Sequence, residues 1–294
     1  MKLLSVGLKG TTQEIREQLQ SDCKTLIQDG FRVAIDEINK GHYTFIGCNV
    51  IEGELSFRNY ERIKNSMKNH VAKMLAEFIV VREEKKIVKK MIEQYYGCYT
   101  EEERKVIYDH TLELLSGSND LIVDFSMTAR CTKILEKIIA YLDTHHELVL
   151  EGFINFRLKD YREKLMQTVD KAADDYMMDL EYKEFIDVLR GFVEIQEPQI
   201  EEVHLVVVGD GLYKIVDDQG GSIDNQNFES FLLQRTDQIN YEDLLITALI
   251  TIAPYHVVVH MHSCNNSVTQ SVVETIKNIF PGRVMICEGC DFCY

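Results

Sequence analysis

The stretch HVVVHMHSCNNSVTQSVVETIKNIFPGRVMIC, residues 256–287, decides the fold. HVVVHMH reads as a short, buried-type strand. Ser267 and Gln270 stand at capping-box spacing at the head of the apolar-periodic run to Phe280, and Pro281-Gly282 ends that helix. RVMIC, residues 283–287, is the last strand. Strand, helix and strand at this length form a βαβ crossover, so the two strands run parallel. Both then end on the same edge of one sheet, the edge beyond which open α/β sheets bind ligands.

Working outward, VHLVVV, residues 203–208, is an apolar strand, and Gly209-Asp210-Gly211 turns it into LYKIVDD as a hairpin. Asn240 caps a helix over YEDLLITALITIA, which stops at Pro254. At the other end, KLLSVGL is a strand. Thr11 and Glu14 have capping-box spacing, and a helix runs to about Gln28, stopped by Asp29-Gly30. FRVAIDEI and HYTFIGCNVI alternate around NKGH, a second hairpin. Between them, from Ser56 to Glu194, apolar residues step by three or four, as Tyr60, Ile63, Met67, Val71, Leu75 and Phe78 do. Thr100 and Glu103 form another capping box, and His145-His146 sits at a helix end, where positive charge suits the dipole. The expected fold is α+β. It has a small β-α-β-β region (1–55), a mostly helical region (56–199) and a C-terminal α/β region (200–294) with a βαβ unit and a parallel strand pair.

The formal charge of −16 repels phosphate backbones and anionic lipid, which disfavours nucleic acid as a partner. Arg58 to Lys90 is the exception, with ten Lys/Arg against four Glu. This strip either docks on acidic neighbours within the fold or presents Lys85, Lys86, Lys89 and Lys90 to a protein partner. No run approaches the ~18 apolar residues of a membrane span, and the start lacks a signal-peptide core. The expectation is a cytoplasmic protein without membrane association, whose eight cysteines are reduced thiols or metal ligands.

RVMICEGCDFCY, residues 283–294, places Cys287, Cys290 and Cys293 at every third position. A tight turn can aim three thiolates at one ion with Zn–S near ~2.3 Å, and Gly289 eases such a turn. The parallel strands bring a fourth ligand from the end of the preceding strand, Cys264 or His262, and period-2 alternation puts His256, His260 and His262 on one strand face. Zinc is favoured over an iron–sulfur cluster, and four protein ligands make the site structural. Cys23, Cys48, Cys98 and Cys131 read as small buried hydrophobes. Asp210, Asp217 and Asp218 belong to a hairpin turn, and Asp174, Asp175 and Asp179 to a solvated helix face. No phosphate-binding, dinucleotide-binding, zinc-protease or serine-hydrolase motif is present, and no catalytic residue is assigned.

FINFRLKDYREKLMQTVDKAADDYMMDLEYKEFIDVLRGFVEIQEPQIEEVHLVV, residues 153–207, and YEDLLITALITIAPYHVVVH, residues 241–260, resemble the YtxC-like family of sporulation-associated proteins from endospore-forming bacteria. The resemblance implies a place in the sporulation programme and assigns no activity, ligand or catalytic residue. The sequence supports a non-enzymatic, partner-binding protein with a structural metal at its C-terminus. Two alternatives stand beside it: a metal- or thiol-dependent redox enzyme using the same cysteines, and nucleic-acid binding through the basic helices at 58–90.

Overall fold

A computed structural model describes residues 2–10, 13–28, 32–52, 57–117, 125–209, 212–221, 223, 241–261 and 267–293. The chain divides into two compact units, 1–176 and 177–294. The architecture is α+β in both.

In the first unit, β1 (Lys2–Leu8), α1 (Gln13–Gln28), β2 (Arg32–Lys40) and β3 (Tyr43–Glu52) follow one another as expected. β2 and β3 pair antiparallel around the NKGH turn, and β1 adds to β3, also antiparallel. Sequence periodicity did not reveal β4 (Glu147–Val149), which pairs parallel to β1 and completes the order β2-β3-β1-β4. Three residues are too short to show a period of two, and the strand exists because β1 offers an edge for it.

The helices of this unit are α2 (Phe57–Phe78), α3 (Glu84–Tyr95), α4 (Glu101–Ser116), α5 (Met127–Thr144), α6 (Leu150–Arg157) and the start of α7 (Lys159–Ile195). A π-helical turn, Ile79–Glu83, joins α2 to α3. The predicted stripe on α2 is the core face: Ile63, Met67, Val71 and Leu75 are buried against the sheet's Leu4, Val6 and Ile46. The capping box at Thr100 is formed, with Glu103 closing it, and Gly117 ends α4 in the left-handed region at φ 81°. At the end of α5, the His145 ring lies 3.1 Å from the Tyr141 carbonyl, at the negative end of the helix dipole.

One buried polar network crosses this core. Arg130 and Glu84 form an ion pair at 2.8 Å, and Tyr161 donates its hydroxyl to Glu84 at 2.5 Å. Arg130 also donates to the carbonyls of Leu115 and Phe125 at 3.0 and 2.6 Å. Burial holds the Glu84 carboxyl above its usual range, against the smaller opposing pull of the Tyr161 hydroxyl and the Arg130 guanidinium.

The second unit is built on β5 (Ile200–Gly209), β6 (Leu212–Val216), α8 (Tyr241–Ile252), β7 (Pro254–Met261), α9 (Ser267–Ile279) and β8 (Val284–Ile286). Its sheet has the order β6-β5-β7-β8. β5 and β6 form the antiparallel hairpin, while β5–β7 and β7–β8 are parallel, as the strand–helix–strand reading required. Val203 and Leu205 of β5 and Val257 and Val259 of β7 are fully buried on one face. Leu245 and Leu249 of α8, Ile276 and Ile279 of α9, and Ile186 and Val193 of α7 join the same cluster. Alternation along the strands sends Glu202, His204, His256 and His260 to the opposite face.

The readings at Thr11, Asp29-Gly30, Asp210-Gly211 and Asn240 lie outside the described residues. Among the described residues, no helix is long and apolar enough to cross a membrane.

Candidate metal centre

His260 is 1% exposed although it points away from the valine core. The chain's own C-terminal segment covers it. Parallel pairing with β7 carries β8 to Ile286, and the ladder continues one residue further as the Cys287 amide donates to the Val259 carbonyl at 2.9 Å. The chain then turns through Gly289, whose φ of 144° is a conformation that side chains with a Cβ rarely adopt. A short 3-10 turn, Asp291–Cys293, returns it over the histidine face, closed by the Cys293 amide donating to the Cys290 carbonyl at 2.9 Å.

Cys287, Cys290 and Cys293 thereby meet His260, with one ligand atom from each lying within 4.8 Å of all the others. His260 Nδ1 stands 3.3 Å from Cys290 Sγ and 3.4 Å from Cys293 Sγ, and the two sulfurs are 3.9 Å apart. A tetrahedral zinc with ordinary bond lengths has S···S edges of ~3.8 Å and S···N edges of ~3.5 Å. These three separations are therefore already those of a coordination shell. Burial and the neighbouring His204 ring hold the His260 imidazole below its usual range, favouring the neutral form that binds metals.

Phe292 packs the tail onto the sheet. Its ring stacks on His204 at 5.1 Å between centroids and tilts against His260 at 5.4 Å. The turn at 217–221, beyond β6, makes room for it. Asp217 accepts hydrogen bonds from the amides of Gln219 and Gly221, and Gly220 sits at φ 77°. A Cβ at Gly220 would come within 3.2 Å of the Phe292 ring. Asp217 is thus a turn-forming residue, as its spacing suggested.

Behind His260 stands a second imidazole. His204 Nδ1 and His260 Nε2 are 3.0 Å apart, and His204 Nε2 lies 3.3 Å from a Glu202 carboxylate oxygen. Sequence reasoning overlooked His204 and Phe292. The available signal was a lone histidine inside the apolar run VHLVVV, at a position whose parity matches His260 in the neighbouring strand. His262 and Cys264, the fourth-ligand candidates from the sequence, lie outside the described residues.

The Cys23 side chain lies outside the described residues, and other sequence candidates have structural places. Cys48 is buried as expected, and the Cys131 thiol is pushed up by burial. Cys98 is exposed, because it sits in the turn between α3 and α4, beyond the periodic face that suggested burial. Asp175 pairs with His110 at 3.0 Å, and the other nitrogen of the same ring faces Glu113 at 3.6 Å. In the basic strip, Lys68 pairs with Asp143 and Arg82 with Glu14, so part of its charge is satisfied within the fold. Lys85, Lys86, Lys89 and Lys90 are exposed along α3, with Lys86 also reaching Glu83 at 2.7 Å.

The sequence profile of the YtxC-like family matches residues 69–285. A curated relative, "Uncharacterized protein YtxC" of Bacillus subtilis (strain 168), is 26% identical over 214 residues, covering 72% of this chain and 74% of the relative. No solved structure matches the chain. With the family profile spanning well over half of its residues, this chain belongs to the YtxC-like family.

Proposed function

We propose that this chain is a non-enzymatic cytoplasmic protein of the sporulation programme, a partner-binding body whose tail is pinned to its sheet by a structural zinc ion. The observation that carries this reading is the convergence of three thiols and one imidazole within 4.8 Å. Three sulfurs and one nitrogen complete a tetrahedral shell and leave no open position for substrate. That donor set suits zinc better than an iron–sulfur cluster, whose usual ligands are four thiolates. The link to sporulation is what the resemblance of residues 153–207 and 241–260 to the family implies. The exposed lysines at 85, 86, 89 and 90 are the surface offered to an acidic protein partner.

Metal analysis of the native protein beside a Cys287→Ser variant tests the centre. The expected result is one tightly held zinc per chain, lost or strongly weakened in the variant, with thiols that react with alkylating reagents only after chelation. Reversing the charge of Lys85, Lys86, Lys89 and Lys90 together tests the surface. Unchanged pull-down partners and unchanged sporulation would refute it.

A second reading rests on the 3.9 Å separation of Cys290 and Cys293 in C-x-x-C spacing, which is that of a redox-active thiol pair. A brown protein, or a fast-reacting thiol in the metal-loaded form, would favour it.

A further inference from the structure

We propose that Glu202 and His204 form a proton-fixing relay that makes His260 a metal ligand through Nδ1, in a centre built for a zinc-like divalent cation. The inference rests on the metal centre proposed above and assigns roles to two residues outside the ligand set.

The His204–His260 contact at 3.0 Å joins two ring nitrogens, so one hydrogen lies between them. If that hydrogen belongs to His204 Nδ1, neutral His204 turns a bare Nε2 lone pair toward the Glu202 carboxylate at 3.3 Å, and the two repel. Neutral His260 then carries its hydrogen on Nδ1, facing the sulfurs, where it blocks coordination. If the hydrogen belongs to His260 Nε2, both problems vanish. His204 Nε2–H faces the carboxylate, His204 Nδ1 accepts from His260, and the Nδ1 lone pair of His260 points at Cys290 and Cys293. The Glu202 charge selects this second arrangement. Metal-bound histidines usually hold their other ring nitrogen to a carboxylate or carbonyl in this way. Here an intervening imidazole carries the effect one strand further. Phe292 stacks on His204 and tilts against His260, covering both rings.

Parallel register makes the relay available. Val206 of β5 lies opposite His260 of β7, so His204 and Glu202 follow at period-2 positions on the same face. Glu202 and His204 are positioning residues, since neither touches the ion.

The test uses the full chain, purified metal-free and titrated with Zn(II) or Co(II) alone. Glu202→Gln keeps size and shape at a partly exposed side chain, so the fold is retained. Its neutral amide can face His204 with either its oxygen or its NH2, which removes the selection. Zinc affinity by chelator competition is expected to fall ~10–100-fold, the usual cost of losing such a partner, with one-to-one stoichiometry kept. The Co(II) spectrum should remain that of three sulfurs and one nitrogen. In zinc-loaded wild type, long-range proton–nitrogen NMR should show His260 protonated at Nε2 and ligated at Nδ1. Wild-type affinity in Glu202→Gln, or a proton on His260 Nδ1, overturns the relay. A wild type that binds zinc while His260→Ala leaves both affinity and Co(II) spectrum unchanged overturns His260 as ligand but leaves a cysteine centre. A wild type that takes up no zinc refutes the metal centre itself.

Discussion

Chelating the metal is expected to detach the tail from the sheet while leaving the sheet intact. Among the described contacts, the segment from Glu288 to Cys293 is held by the Cys293–Cys290 backbone hydrogen bond, by the Cys290 and Cys293 thiols against His260, and by the packing of Phe292 on His204 and His260. Ordering six residues costs about 6–12 kcal/mol of backbone entropy at ~1–2 kcal/mol each. Phe292 is only half-buried, so its burial returns less than the ~1.5–3 kcal/mol of a fully buried side chain, and its ring contacts add ~0.5–1.5 kcal/mol. The metal-free tail is therefore short by several kcal/mol. A zinc ion in a structural site supplies ~10–16 kcal/mol, enough to cover the deficit. Amide hydrogen exchange reads the result directly. With zinc, the Cys293 amide should be protected, and after chelation it should exchange like an unstructured peptide. The Val257 amide, held by the Arg283 carbonyl at 2.9 Å where β7 meets β8, should keep its protection in both states. If metal analysis shows the zinc gone and the tail stays protected, the claim that the ion holds it is wrong.

Two further predictions concern the first unit. Arg130→Ala removes one side of a buried ion pair, leaving the buried Glu84 carboxylate with its hydrogen bond from Tyr161 but without its guanidinium partner. The expected loss is ~3–5 kcal/mol in denaturant unfolding, and a loss below ~1 kcal/mol would show that the pair is not the tie inferred here. At the start of α4, the Thr100 amide and hydroxyl donate to Glu103 at 2.7 and 2.9 Å and hold its carboxyl below the usual range. A depressed folded-state value means that the contribution is complete at neutral pH and disappears as pH falls through that value. Glu103→Ala should lower the melting temperature at pH 7 and differ less from wild type near pH 3. A difference that does not change with pH would refute this origin.

Local pattern was sufficient where an element is long and one of its faces is buried. The α2 stripe, both hairpins and the capping box at Thr100 follow from residue spacing, because helices and strands repeat with fixed periods. Parallel pairing of β7 and β8 was also legible, since a crossover helix leaves little choice of direction. β4 was not legible, because three residues carry no period and depend on an edge supplied by residues 2–8.

The candidate site divides along the same line. The sequence by itself determined three thiols at one end of a strand and put His260 on a histidine-bearing face of its neighbour. That the chain turns back at Gly289 and lays Cys290, Phe292 and Cys293 over that face, against His260, follows from long-range packing. Spacing along a chain specifies which side chains share a face. Which segment covers that face depends on turn geometry, on the gap above Gly220 that admits Phe292, and on rings from two strands meeting at 3.0 Å. Those are contacts between residues distant in sequence, and no local period encodes them.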